Sequence, residues 1–198
     1  PPSIIESAAK QLGFPLGPIQ LVDETSIELG AKIARATKAA LGAFYPNEQI
    51  DEILFWMEKE GRLGRKARAG FFNYSEKGKR EGFWKGLEEK YPLSTTIPAF
   101  EDVQHRLMFI QALEAVRALE EGVLMDIREG DVGAILGWGF APWSGGPLSW
   151  LDILGTPYAA ERCQALYETY GPRFECPPLL ADMGKNNEAF YERFSPKI

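Results

Sequence analysis

The sequence is poor in the residues from which a self-contained catalytic or metal site is built. It has one histidine, His105, and two cysteines, Cys163 and Cys176, among 198 residues. With no second histidine and no metal-ligand spacing between the cysteines, a zinc-type site is excluded within this chain. Two cysteines make no disulfide framework, and both are read as free thiols of a reducing compartment. Positive charge is also short: 22 Lys and Arg against 28 Asp and Glu give a net charge of −6. Nucleic-acid partners usually demand a basic stripe, and here only the brief run at 62–66 is basic. No apolar run reaches the roughly 20 residues of a membrane span. No positively charged leader with an apolar core is read at the start. The chain opens on Pro1-Pro2 without Met, which leads us to expect a piece of something longer. Alternation of strand length is almost absent, so the expected fold class is all-α.

What is present is helical punctuation. Apolar residues make up 45% and charged ones 25% of the chain, an ordinary globular balance. A chain of this size buries roughly 70% of its unfolded surface, so it needs no staple. Ile4, Ile5, Ala8 and Leu12 recur at helical spacing before a stop at Gly13. Thr25 with Glu28 reads as a capping box opening a helix that runs to Leu41 and stops at Gly42. Asn47 is expected to cap the next helix, with Ile50, Ile53, Leu54 and Met57 on its apolar face and Gly61 as its end. The stretch "GRKARAGFFNY" reads as a loop with one extended piece at 71–74. The segment 91–100, with two prolines among Ser and Thr, is the expected boundary. A long helix at 101–123 should bury Val103, Leu107, Ile110, Leu113, Val116 and Leu119. Asp131 is expected to cap the helix after it. Thr156 and Pro157 open a last clear helix that ends at Gly171.

Two halves of the chain align. Gly17-Pro18 and Gly146-Pro147 stand 146 − 17 = 129 positions apart, and at that offset Asp23 meets Asp152, Ala36 meets Ala165, Gly42 meets Gly171 and Tyr45 meets Phe174. Gly13 corresponds to Gly139, with three extra residues in the second half. This is the pattern of a duplication, and it predicts a pseudo-twofold pair of halves covering each other's apolar faces.

The candidate chemical motifs fail individually. His105 has only Glu101 as an acid on its own helix face, which fits a structural histidine better than a general base. "GWGFAP" at 137–142 starts like a dinucleotide loop, but lacks the last glycine and follows a helical pattern. Ser144 in "WSGG" is not a nucleophile elbow. Asp23 and Asp152 are expected to bond backbone N–H groups of the helices they precede. Trp138, Phe140, Trp143 and Trp150 are expected in the core or an interface.

The run "GFPLGPIQLVDETSIELGAKI" resembles the C-terminal region of 3-hydroxyacyl-CoA dehydrogenases, above all the multifunctional fatty-acid β-oxidation enzymes that fuse the dehydrogenase to an enoyl-CoA hydratase/isomerase. "GRKARAGFFNY", "RLMFIQALEAVRALEEGV" and "GDVGAILGWGFAPWSGGPLSWLDILG" extend the resemblance over essentially the whole chain. It implies two tandem C-terminal helical domains, of the kind found in 6-phosphogluconate dehydrogenases, at 1–95 (its N-terminal helix truncated) and 96–198. It also implies an NAD-binding Rossmann domain with a His-Glu pair outside this chain, so that no catalytic or cofactor-binding residue lies within it. NAD is then the cofactor of the full-length enzyme and does not bind this piece, which is expected to be inactive and monomeric. The family's substrate-contacting Asn would precede Pro1. In the second copy its Asn-Arg step aligns with His105-Arg106, and a Tyr that bacterial members often carry is Leu136 here. Phe14, Pro15, Leu16 and Leu136 are the expected acyl-CoA contacts. A thiolase subunit is the implied partner, and the implied setting is the bacterial cytoplasm, with mitochondrial and peroxisomal ones left open. Two rival readings are a non-catalytic helical assembly module and a sugar-acid dehydrogenase relative.

Overall fold

The computed structural model of the protein describes residues 1–45 and 48–196, with side chains for all of these except 48–50. The chain divides into two compact units, Pro1–Ser7 with Leu16–Ile97, and Ala8–Pro15 with Pro98–Ile198. The first helix, α1 (Pro2–Gln11), contributes residues to both.

The first unit continues with α2 (Pro18–Thr25), α3 (Ile27–Leu41) and α4 (Glu48–Lys59), then a hairpin of β1 (Phe72–Tyr74) and β2 (Arg80–Phe83), and a short α5 (Gly86–Lys90). The hairpin is antiparallel and pairs Phe72 with Phe83. Its aromatic residues serve the core: Phe71, Phe72 and Tyr74 are buried with Ile27, Met57 and Leu87. Trp84 stacks on Trp56 at 5.2 Å. The basic run is absorbed locally. Arg62 donates to the carbonyls of Gly70 and Phe72 and to Asn73 Oδ1, and its guanidinium lies 4.4 Å over the Trp84 ring. Arg65 pairs with Glu24 at 2.8 Å.

The second unit contains α6 (Phe100–Glu120), α7 (Ile127–Trp138), α8 (Pro147–Leu154), α9 (Thr156–Tyr170), α10 (Pro178–Asn186) and α11 (Phe190–Arg193). Its core gathers Met108, Phe109, Leu113, Val116, Phe140, Leu148, Leu151, Leu166, Leu180 and Phe190. Among the described residues the fold is all-α apart from one hairpin.

Several local expectations are corrected. The helices α2 and α8 have no separate signal, because eight residues opened by proline are too short to show a period. Helix α3 begins one residue late: Ser26 is its cap and accepts from Leu29 N, whereas Thr25 ends α2 and donates to the Leu21 carbonyl. Helix α7 is capped by Asp126 in a capping box with Glu129, not by Asp131. Gly155 is the cap of α9, and Thr156 is its first residue, donating instead to the Glu188 carbonyl at 2.8 Å. On α6 Ile110 is exposed, and Met108, Phe109 and Ala112 are buried in its place, so the buried face is wider and rotated from the expected stripe. Strand β2 was not expected at all. Asn47, the expected cap of α4, lies outside the described residues.

Candidate functional site

Three buried carboxylates, Glu6, Asp23 and Asp131, and the half-buried Asp152 organise the segments that the two Gly-Pro steps introduce. A helix starting at proline leaves its first amides without intrahelical acceptors, and a carboxylate is the strongest partner for them. At α2 that partner is Glu6, whose Oε1 accepts from Ile19 N at 2.8 Å and Gln20 N at 3.2 Å. At α8 it is Asp131, accepting from Leu148 N at 2.7 Å and Ser149 N at 3.1 Å. The amides differ by 148 − 19 = 129 and 149 − 20 = 129 positions. Only glycine fits beside either carboxylate: a Cβ at Gly17 would fall 2.3 Å from the Glu6 carboxyl, and one at Gly146 would fall 2.4 Å from Asp131. Asp131 therefore caps a helix, but the one after its own.

The second pair, Asp23 and Asp152, corrects the expectation attached to it. Neither bonds the helix that follows it. Asp23 accepts from Phe71 N at 2.8 Å, Phe72 N at 2.9 Å and the Tyr74 hydroxyl at 2.9 Å. Asp152 accepts from Phe190 N at 2.6 Å and Tyr191 N at 3.0 Å. Each thus pins a distant aromatic pair onto its own unit. The Tyr191 hydroxyl goes to Asp131 Oδ2 at 2.9 Å, so α11 is held by both carboxylates. Burial raises the Asp23 carboxyl above its ordinary value, against the Phe72 and Phe71 amides and Tyr74, which pull it down. Burial likewise raises Asp152, and burial followed by the Asp131 bond pushes the Tyr191 hydroxyl up to about 12. These groups serve as acceptors and locks. Glu6, Tyr74 and Tyr191 were missed in the sequence, although each Gly-Pro helix start demands an acid from somewhere.

The expected ligand-contact residues are placed as follows. Phe14 packs edge-on against the buried Phe140, centroids 5.8 Å apart, and so belongs largely to the core of the second unit. Pro15 is exposed and stands against Gly139, where a Cβ would fall 2.7 Å from its ring. Leu16 is half-buried and counts with the first unit. Leu136, on α7, is 80% exposed. Beside it on the chain Trp138 bonds Gln111 Oε1 at 3.1 Å, while Trp143 bonds the Leu12 carbonyl at 2.7 Å; both rings stay more than half exposed. Phe140 and Trp150 are in the core as expected.

His105 sits in a polar recess of about 470 Å³ with Asp102, Tyr158, Arg162 and Tyr170. Arg162 Nε donates to His105 Nδ1 at 3.1 Å and its Nη2 to Asp102 Oδ1 at 2.5 Å; Tyr170 donates to Asp102 Oδ2 at 2.5 Å. Burial, with Arg162 beside it, lowers the imidazole below its usual value. Asp102 is therefore spent on Arg162 and Tyr170, and the histidine accepts at Nδ1 from a cation. That is the wrong polarity for a base oriented by a carboxylate. Among the described residues no cluster of His, Cys, Asp and Glu could hold a metal ion. The Gly137–Gly139 step closes α7, whereas a dinucleotide loop opens a helix after a strand, so these residues do not fit a nucleotide.

Among known proteins the chain is similar to dehydrogenases. Residues 1–74 match the family described as 3-hydroxyacyl-CoA dehydrogenase, C-terminal domain. The chain is a homologue of the C-terminal part of such dehydrogenases. Among curated proteins it is 36% identical over 190 residues to the fatty acid oxidation complex subunit alpha of Vibrio vulnificus, covering 95% of this chain and 26% of that protein. It thus spans about a quarter of the length of that relative. Among solved structures, 3-hydroxybutyryl-CoA dehydrogenase from Escherichia coli K12 superposes with a TM-score of 0.64 at 18% identity, over 94% of this chain and 55% of that one. The dehydrogenase part of multifunctional enzyme 1 from C. elegans gives 0.63 at 24% identity, over 93% and 41%. The fold is therefore that of the helical part of these dehydrogenases.

Proposed function

We propose that this chain is the helical C-terminal part of an NAD-dependent 3-hydroxyacyl-CoA dehydrogenase of fatty-acid β-oxidation, and that it contributes one wall of the acyl-CoA cleft. The observation that carries the reading is identity of 36% sustained along 95% of the chain to a fatty acid oxidation complex subunit. In the reaction NAD takes hydride from the 3-hydroxyl carbon. This chain's residues neither hold that cofactor nor offer the base, so their part is to line and brace. Phe14, Pro15, Leu16 and Leu136 are the proposed acyl-CoA contacts, Pro15 and Leu136 being the exposed ones; an apolar lining suits a thioester's hydrocarbon. Alone, the chain turns over nothing.

Two tandem copies of the helical domain, at 1–95 and 96–198, are part of the proposal. The 129-position match of the amides held at the starts of α2 and α8, and of Asp23 with Asp152, supports it, as does the recurrence of the helix pair α2–α3 in α8–α9. The bacterial cytoplasm is the proposed setting, and the isolated chain is proposed to be a monomer. A second reading, a helical module that assembles β-oxidation subunits such as a thiolase, is favoured by one observation: the curated relative is named as a complex subunit.

The test is NADH formation by the polypeptide that carries this sequence, supplied with NAD and 3-hydroxyacyl-CoA of graded chain length. Activity that falls for long chains in Leu136→Asp, with assembly unchanged in light scattering, supports the cleft reading. No NADH at any chain length refutes it, and intact turnover with lost assembly favours the module.

A further inference from the structure

Helices α2 and α3 recur as α8 and α9 with the same bounds at an offset of 129: 18–25 against 147–154, and 27–41 against 156–170. The two pairs differ in what covers them. In the second unit α6 lies on the pair. Its Phe109 meets Trp150 of α8 edge-on at 4.9 Å, both rings buried. On α9, Tyr158, Arg162, Leu166 and Tyr170 follow at four-residue steps and form one ridge. Arg162 and Tyr170 each donate to Asp102 of α6 at 2.5 Å, and Tyr158 stands 6.4 Å from the His105 ring. At the same positions the first unit has Leu21 on α2, and Leu29, Ile33, Thr37 and Leu41 on α3. Leu21 is 42% exposed where Trp150 is 4% exposed, and Leu29, Ile33 and Leu41 are 50%, 57% and 46% exposed. Helix α3 meanwhile buries Ile27, Ala31 and Ala34 on another side and packs against α4. Single exposed leucines are ordinary on a protein surface. Four large apolar side chains, at the positions where the other pair meets a helix, are a docking face.

We propose that the ridge Leu21, Leu29, Ile33 and Leu41 seats an amphipathic helix of the same polypeptide, packed there as α6 packs on α8 and α9. The occupant stands ahead of Pro1. Chain order gives that place: α6 precedes α7, and Gly139, which closes α7, matches Gly13 after α1. At that offset, 139 − 13 = 126, the 21 residues of α6 map to within about 30 positions ahead of Pro1. The proposal rests on the reading of this chain as part of a longer dehydrogenase, and the curated relative holds the matching stretch as 26% of its length. The joint is of a different kind from that in the second unit. Ile33 stands where Arg162 binds Asp102, and Leu41 where Tyr170 does. An acid laid on this ridge would lose water and gain neither cation nor hydroxyl, so the occupant meets it with apolar side chains. From Leu29 to Leu41 the ridge runs about 18 Å, twelve steps of 1.5 Å, and three to four turns of helix cover it.

The experiment uses the full polypeptide that carries this sequence. Leu29 is replaced by the photo-cross-linker p-benzoylphenylalanine, and in a second variant Leu41, at the end of the ridge, which decides the matter should the first not fold. Each variant is mixed with unlabelled and heavy-isotope wild type, irradiated and digested, and the joined peptides are sequenced by mass spectrometry. The expected product joins α3 to a peptide of the same chain from the 30 or so positions ahead of Pro1. The proposal is overturned if the partner peptide comes from within residues 1–198, from farther upstream, from a second copy or from another subunit. It is equally overturned if neither variant cross-links. The readout is independent of turnover. Cross-linking ahead of Pro1 without NADH formation refutes the dehydrogenase reading and keeps the docked helix, whereas NADH formation with cross-linking elsewhere refutes the docked helix alone.

Discussion

Ser26 and Gly155 offer a direct measurement of backbone strain inside one molecule. Each closes one helix and opens the next, and their dihedral angles nearly coincide: φ 86° and ψ 121° at Ser26, φ 84° and ψ 126° at Gly155. Glycine takes this conformation freely, whereas for a residue with a Cβ it costs about 1–3 kcal/mol. Replacing Ser26 by Gly removes that strain. Against it stand a few tenths of a kcal/mol for the long cap bond, 3.4 Å from Ser26 Oγ to Leu29 N, and about 0.4–1 kcal/mol for the looser unfolded chain. The net expectation is stabilisation by about 1 kcal/mol, or about 2–4 °C in Tm for a chain of this size. The reverse change, Gly155→Ser, is clean sterically, because a Cβ there would meet no atom within 4 Å. It should cost about 1–2 kcal/mol from the dihedral angles alone. Urea unfolding followed by circular dichroism reads both, with the midpoint moving at constant slope. Destabilisation by Ser26→Gly, or no cost from Gly155→Ser, would refute the reasoning.

Three further outcomes are expected. Asp23→Ala strands two amides and the Tyr74 hydroxyl in the core, at about 1–3 kcal/mol each; a loss of about 3–6 kcal/mol in urea unfolding is the expected result, and a loss below about 1 would deny the lock its role. Gly146→Ala drives a methyl group into Asp131 at a φ of +123°, and should cost about 3 kcal/mol or more. His105 should titrate below 6.5 in an NMR pH series. The folded state then binds fewer protons than the unfolded state as pH falls through the ordinary histidine range, so this group's contribution to stability is present above about pH 6.5 and is lost below it. His105→Gln should flatten that slope, and a titration at or above 6.5 would remove its basis.

The sequence by itself determined the helical class, the long helix α6, the stop at Gly42 and the correspondence of the two Gly-Pro segments. Those features are local: periodicity, glycine and proline act through a few neighbouring residues. It also named Trp138, Phe140, Trp143 and Trp150 as residues of the core or an interface, of which Phe140 and Trp150 are buried. What only the tertiary structure decided was the destination of the acids. Asp23 and Asp152 looked like caps for adjacent helices, yet their amide partners lie 48 and 38 residues away at the nearest. Asp131 looked like a cap at its own helix start, while Asp126 took that place and Asp131 served α8. A carboxylate's range as an acceptor is set by what folding brings within 3 Å, and no local pattern records that.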